Sequence, residues 1–283
     1  MVDLTYRIAP RRAAKRGSMT AAQIQKRLER GNSVFSSLVA AMREGKALDH
    51  VTSIDPQDLG TDETEHAVQA PYAAVLACSD ARVPTEMVFQ QGFNDLFVVR
   101  VAGNVLGSEC LGSLRYATSH FPESLKVAAV VGHANCGAVT AAVDAFLNPG
   151  RYLGTAGNYP LRTIIDQIMV SARSADKGLR EVHGPGAAEH PDYRQALIGV
   201  SVAINAAWNA FSLREELIGH SSGNVKVVFG VYDLGSHRMG LIPTAGARPL
   251  RNGFQDAPPD VDAFRALVGD LCRAALAPVN NKS

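Results

Sequence analysis

Four short segments that are rich in valine and apolar at nearly every position mark the centre of the chain: 73–77, 96–101, 127–131 and 225–231. Strands that are covered on both faces have this continuous pattern, which is typical of a parallel sheet. The stretches between and after them have helical periodicity: 108–120, 137–146, 160–176 and 191–217. Strands that alternate with helices imply crossover connections, so the pattern predicts an α/β fold. We expect an open, mostly parallel sheet of about four parallel strands plus an edge strand, flanked by helices.

The segments around this sheet predict additional elements. Residues 20–45 indicate an N-terminal helical arm with a break at Gly31 and Asn32, and the polar, acidic stretch 47–70 indicates a surface linker. Towards the other end we expect a loop, an irregular proline-containing segment and a last helix, at 177–190, 243–260 and 261–276.

These boundaries predict three parts of the chain. They are an N-terminal basic tail, helical arm and linker, then an α/β domain that carries the chemistry, then a C-terminal irregular segment and helix: 1–66, 67–245 and 246–283.

Composition and charge exclude several classes of protein. The 283 residues are 46% hydrophobic and 19% charged, which is enough apolar material for one large α/β domain or two small ones. The net charge of +1 gives no reason to expect a nucleic acid or an anionic membrane as a partner. No run approaches the roughly 18 apolar residues of a membrane span, so we expect a soluble, cytoplasmic protein. Basic residues near the N-terminus lack the apolar segment of a secretory signal, and a transit peptide is the alternative to a basic tail.

Cysteine and histidine follow two of the predicted strands. Cys78 comes directly after the first strand, and His133 and Cys136 follow the strand at 127–131. The carboxyl ends of parallel strands meet at one edge of a sheet, where the tips of neighbouring strands lie roughly 5 Å apart. Two thiols and an imidazole that converge there suit zinc. A lone cysteine after an apolar strand is more often a small buried hydrophobe, but the pairing of the two motifs favours a metal site.

The number of ligands favours a catalytic zinc site over a structural one. A structural site is closed by a fourth protein ligand, whereas a catalytic site leaves a position for water, and three ligands are evident here. The alternative is a non-enzymatic zinc protein in which Cys110 or Cys272 closes the cluster.

Asp80 and Arg82 lie two residues apart beside this predicted site. The carboxylate would either take the fourth coordination position or accept a hydrogen bond from metal-bound water while the guanidinium holds it ionised. An ordinary surface ion pair is the competing interpretation.

The motif CxDxR at 78–82, followed about fifty residues later by HxxC at 133–136, resembles the β-class carbonic anhydrases. The resemblance covers roughly 30–245. It implies reversible hydration of carbon dioxide to bicarbonate at one zinc ion per chain, bound by Cys78, His133 and Cys136. Asp80 and Arg82 would form the catalytic dyad, with Asp80 a metal ligand only in a closed state at low pH.

The resemblance also implies a substrate pocket that a second subunit completes, and hence a homodimer or a higher oligomer such as a homotetramer. Gln69, Phe97 and Tyr116 match the family's pocket positions, Val83 would share an apolar wall with Phe97, and Gly137 would adjoin the substrate. The chain departs from the family around 121–125, which leaves the position of His120, a proton relay by analogy, undefined. Val75 replaces the tryptophan of members that non-catalytic bicarbonate regulates, so that regulation is not expected.

Within the same family, hydrolysis of carbonyl sulfide or carbon disulfide is the alternative activity, because it uses the same attack on a linear molecule. Pocket shape would decide between these substrates.

Overall fold

A seven-stranded sheet forms the centre of the described part of the chain. The computed structural model describes residues 2–8, 18–59, 66–154, 159–218, 225–244 and 246–276. The strands are β1 (Val2–Ile8), β2 (Leu48–Ile54), β3 (Ala73–Ala77), β4 (Leu96–Arg100), β5 (Val127–His133), β6 (Lys226–Tyr232), β7 (Met239–Leu241), β8 (Arg251–Asn252) and β9 (Gln255–Asp256). The α-helices are α1 (Ala21–Arg43), α2 (Thr85–Val88), α3 (Ser108–His120), α4 (Gly137–Leu147), α5 (Pro149–Leu153), α6 (Tyr159–His183), α7 (Tyr193–Leu217) and α8 (Val261–Ala275).

The strand order is β4-β3-β5-β6-β7-β8, and β9 pairs with β6. Strands β4, β3, β5 and β6 are parallel to one another, while β7, β8 and β9 pair in antiparallel orientation. Every residue of β3 and β5 is buried, which explains why these strands are apolar at each position except His133 at the end of β5. The predicted α/β class and the four parallel strands are confirmed; the antiparallel extension is larger than the single edge strand that we expected.

The two faces of the sheet contact two separate hydrophobic cores. Alternate residues of β3 point to opposite faces: Ala74 and Leu76 pack in the larger core with α3, α4, α6, α7 and α8. Ala73, Val75 and Ala77 pack in the smaller core, which α1 covers with Ile24 and Leu28. The helices that cover both faces leave the carboxyl ends of the strands for chemistry.

Helix α7 lies at the centre of the larger core. By length and composition it is apolar enough to span a membrane, which the sequence interpretation did not anticipate, but 78% of its most apolar window is buried inside the protein. Burial of this kind is typical of a helix in the core of a folded domain.

The predicted break at Gly31 and Asn32 is wrong, because α1 is continuous from Ala21 to Arg43. A Cβ at position 31 would lie 1.7 Å from the Phe89 carbonyl oxygen, so glycine permits a close approach of the helix. The Asn32 side chain donates to the His237 carbonyl (3.0 Å) and accepts from the Met239 amide (2.8 Å). Tertiary contacts therefore explain both residues, and neither ends the helix.

Three other expectations also need correction. Helix α6 continues to His183 through part of the predicted loop, because Ala172, Ala175 and Leu179 extend its buried face. The predicted linker contains β2, and the predicted basic tail contains β1, which pairs with β2 in a separate parallel sheet. The β-branched residues Val51, Thr52 and Ile54 favour a strand there despite the acidic surroundings. The last helix is confirmed as α8.

Candidate metal centre

Two neighbouring strands bring the predicted ligands together. Ala77 of β3 pairs with Val131 of β5, so Cys78 and His133 lie at adjacent strand ends. Cys136 follows a short turn and occupies the N-cap position of α4. The three ligand atoms lie within 4.8 Å of one another, and all three residues are buried. The Sγ atoms of Cys78 and Cys136 are 3.9 Å apart. The predicted convergence of two thiols and one imidazole is therefore present.

The orientation of His133 leaves one ring nitrogen available for a metal. Its Nδ1 lies 3.0 Å from the carbonyl oxygen of Ala134, a contact that requires a proton on Nδ1. The lone pair is then on Nε2, which is buried and has no hydrogen-bond partner among the described residues. A buried acceptor without a partner is costly unless a ligand satisfies it. Histidine that donates one N–H to a backbone carbonyl is the usual arrangement of a metal ligand, so these residues fit a metal.

The two neighbouring thiols differ strongly in pKa, and the proton that they share resides on Cys136. The hydrogen bond with Cys136, with contributions from His133 and backbone amides, lowers the pKa of Cys78 to about 4 against the opposing effect of burial. The hydrogen bond with Cys78 and burial raise the pKa of Cys136. The pair thus loses its first proton readily and retains the second, because two adjacent buried negative charges repel each other. A divalent cation would replace that proton and stabilise both thiolates.

Asp80 and Arg82 form a two-pronged ion pair beside this cluster. The Arg82 Nε atom and backbone amide each lie 2.9 Å from Asp80 Oδ1, and an Arg82 terminal nitrogen lies 2.6 Å from Oδ2. These hydrogen bonds from Arg82 hold the pKa of Asp80 well below its usual range, so the carboxylate is ionised. Its Oδ2 is 3.7 Å from His133 Nε2. The dyad residues are therefore adjacent to the cluster, with the carboxylate directed at Arg82.

Sequence reasoning missed the role of Arg100. This residue ends β4, next to β3, and its Nε donates to the Cys78 carbonyl (3.0 Å) while a terminal nitrogen donates to the Asp80 carbonyl (2.5 Å). It therefore fixes the backbone that carries both Cys78 and Asp80. An arginine at the end of an otherwise apolar strand, on the edge that bears the ligands, was the available signal.

Gly103 donates its backbone N–H to the Cys78 Sγ at 3.3 Å. Its φ of +68° lies in the left-handed region, and a Cβ there would lie 2.6 Å from the Ile168 Cδ1 atom. The close backbone approach that glycine permits here is thus directed at a predicted metal ligand.

Of the predicted pocket residues, Phe97 and Tyr116 are neighbours in the single chain, whereas Val83 lies in the other hydrophobic core. Phe97 is half-buried on β4, with its ring 6.4 Å from that of Tyr116, which is 48% exposed and stacks on His120. Val83 is fully buried in the smaller core, and Gly137 is exposed at the start of α4.

Gln69 is exposed on the extended segment before β3, and Asn94 holds the backbone on both sides of it. The Asn94 side chain donates to the Val68 carbonyl (2.8 Å) and accepts from the Ala70 amide (2.9 Å). Among the described contacts, none joins Gln69, Phe97 or Tyr116 to the metal cluster.

Cys110 and Cys272 do not belong to the cluster of described residues that could hold a metal. Cys272 on α8 packs against Gly178 of α6, and Cys110 is half-buried in the first turn of α3. The geometry therefore gives no support to a structural site that a third cysteine closes.

Comparison with known proteins agrees with the motifs. A family model described as carbonic anhydrase matches residues 73–239. Carbonic anhydrase 2 of Mycobacterium tuberculosis is 35% identical over 167 residues, which are 59% of this chain and 73% of that protein. A carbonic anhydrase of Mycolicibacterium smegmatis is 47% identical over 77 residues, which are 27% of this chain and 36% of that protein.

Among solved structures, a tetrameric β-carbonic anhydrase from Sordaria macrospora has a TM-score of 0.44 and 21% identity. The match covers 64% of this chain and 83% of that one. Because the carbonic anhydrase family model spans more than half of the chain, including Cys78, Asp80, Arg82, His133 and Cys136, this chain belongs to the β-class carbonic anhydrase family.

Proposed function

We propose that this chain binds one zinc ion through Cys78, His133 and Cys136 and catalyses the reversible hydration of carbon dioxide to bicarbonate. The observation that carries the proposal is the buried cluster of two thiols and an unpartnered imidazole nitrogen, adjacent to an aspartate that an arginine holds ionised. The test is carbon dioxide hydration by the purified protein with zinc and without it. We place this activity in the unit 67–245.

Zinc would supply a Lewis acid that makes water acidic enough to act as a nucleophile near neutral pH. The ionised Asp80 would accept a hydrogen bond from that nucleophile and orient its lone pair towards carbon dioxide. Arg82 would keep Asp80 ionised and in place, and its two side-chain hydrogen bonds would keep the carboxylate from binding the metal itself. Gly137 would leave space for substrate at the N-terminus of α4, since nothing lies within 4 Å of a Cβ built there.

We also propose that a second subunit completes the pocket. The positions of Gln69, Phe97 and Tyr116 support this proposal, because none contacts its own chain's cluster in the described structure, while Gln69 is exposed and Tyr116 half-exposed. In addition, β4 is an edge strand with incomplete burial along its length.

The predicted result for assembly is a dimer, or a multiple of a dimer, in light scattering at micromolar concentration. Gln69→Ala should leave zinc content unchanged and reduce the hydration rate, because the side chain would donate to a substrate oxygen across the interface. An active monomer would contradict the shared pocket.

The predicted pH profile rises on the alkaline side of neutrality. Two thiolates offset the double positive charge of zinc, whereas three neutral histidines leave it intact, so water should ionise above the pKa of about 7 of a three-histidine site. In addition, the family resemblance implies a closed state at low pH, in which Asp80 would be a metal ligand instead of pairing with Arg82. Hydration rates between about pH 6.5 and 9.5 test this expectation. A profile that stays flat to the acidic limit would show that thiolate charge does not control the reaction.

We also propose a cytoplasmic location, because the proposed site needs free thiols. Within the described residues all four cysteines are free, and the proposed ligands must remain unoxidised to bind zinc, as a reducing compartment ensures.

A further inference from the structure

Two asparagines interrupt the apolar surface of the core helix α7. Asn205 and Asn209 lie one turn apart and are 1% and 6% exposed. A buried amide is unfavourable unless its hydrogen bonds are made. Most of the residues around them on this helix are alanine, valine, isoleucine or leucine, so neither position requires a polar side chain for packing.

Both side chains bind the segment that follows β4. Asn205 Nδ2 donates to the Gly103 carbonyl at 2.8 Å, and Asn209 Oδ1 accepts from the Leu106 amide at 3.2 Å. Asn209 Nδ2 donates to the Asn205 carbonyl (2.9 Å) and lies 3.3 Å from Asn205 Oδ1. The two amides thus form one network, and each amide orientation agrees with its partners, since a flip of Asn205 would set two oxygens against each other.

This network ends at a proposed zinc ligand. The Gly103 carbonyl accepts a hydrogen bond from Asn205, and the Gly103 N–H donates to Cys78 Sγ at 3.3 Å. Glycine has the widest freedom in φ and ψ, so its peptide groups keep a fixed direction only if other atoms hold them. Asn205 binds one side of Gly103 and Cys78 binds the other.

We propose that Asn205, supported by Asn209, is a positioning residue for the metal centre. It directs the Gly103 N–H at Cys78 Sγ, which places a fixed positive dipole beside a thiolate that binds the metal. Such outer contacts orient ligands and adjust their electron donation, and their loss typically weakens metal binding by about 10- to 100-fold. The proposal rests on the zinc site of the proposed function.

The test is zinc affinity and the spectrum of the cobalt(II)-substituted full-length protein for the variant Asn205→Ala. We expect zinc to bind about 10- to 100-fold more weakly by chelator competition. The thiolate-to-cobalt charge-transfer band should move to longer wavelength, because a sulfur without its hydrogen bond holds its electrons less tightly. Asn209→Ala, which removes the support but keeps the contact with Gly103, should give smaller shifts in the same directions.

Leu213→Ala is the matched control. Leu213 is fully buried on α7 one turn beyond Asn209, so its truncation lowers stability through a cavity. The thermal midpoint of this variant should fall, while zinc affinity and the cobalt band stay as in the wild type.

Wild-type zinc affinity and an unshifted cobalt band in Asn205→Ala would overturn this inference and leave the proposed zinc site intact. If that variant does not fold, Asn209→Ala decides by the same two measurements, and wild-type values there would overturn the inference. A wild-type protein that binds no zinc would instead overturn the proposed zinc site, and this inference with it.

Discussion

Replacing Cys78 or Cys136 with alanine is expected to reduce bound zinc from about one ion per chain to essentially none, and to reduce carbon dioxide hydration to the uncatalysed rate. Each substitution leaves one thiolate and one imidazole, too few ligands to retain the ion against dilution. The remaining cysteine would lose the neighbour with which it shares a proton. Metal analysis after gel filtration, together with a stopped-flow hydration assay, measures both effects.

Cys110→Ala is the control for this prediction, because Cys110 is a half-buried free thiol outside the cluster. Zinc content and activity should remain near those of the wild type. Loss of zinc in the Cys110 variant would contradict the three-ligand site and would favour the structural cluster.

Substitution of Asp80 by asparagine is expected to lower the hydration rate by at least about 10²-fold while zinc content stays at the wild-type level. Asparagine retains the shape of the side chain but lacks the negative charge of the carboxylate, which accepts three hydrogen bonds from Arg82. Arg82→Lys should have an intermediate effect, since an ammonium keeps the charge but not the two-pronged geometry. Hydration kinetics with parallel zinc analysis separate this effect from metal loss.

Asp270→Asn is the matched control, because Asp270 forms an exposed ion pair of 2.6 Å with Arg273 on α8. Its removal should leave the hydration rate unchanged, as exposed pairs contribute little to stability. Equal hydration rates in Asp80→Asn and the wild type would contradict a catalytic role and show that Asp80 and Arg82 form an ordinary ion pair.

The convergence of Cys78, His133 and Cys136 could be predicted from the sequence because its geometry follows from local patterns. Buried parallel strands are apolar at every position, and residues directly after them must meet at one edge of the sheet. Cys78 and His133 therefore converge once β3 and β5 are adjacent. The closeness of Asp80 and Arg82 is a consequence of their spacing of two residues.

The parts that sequence did not predict depend on long-range contacts. Gly31 and Asn32 look like a helix break, yet the first lets α1 approach Phe89 and the second bonds to His237 and Met239. The contact of Arg100 with the Cys78 and Asp80 carbonyls joins residues about twenty positions apart, and that of Asn205 with Gly103 joins residues 102 apart. The position of Arg100 at a strand end indicated a role at this edge of the sheet, but no periodicity or motif encodes the partners of either residue.

The most direct test of the proposed function is the carbon dioxide hydration rate of one preparation measured three times: as purified, after zinc removal by a chelator, and after zinc is returned. The account predicts high activity, then loss to the uncatalysed rate, then recovery in proportion to zinc bound, with saturation at about one ion per chain. Full activity in protein that analysis shows to be free of zinc, or one bound zinc per chain with no hydration above background, would contradict it.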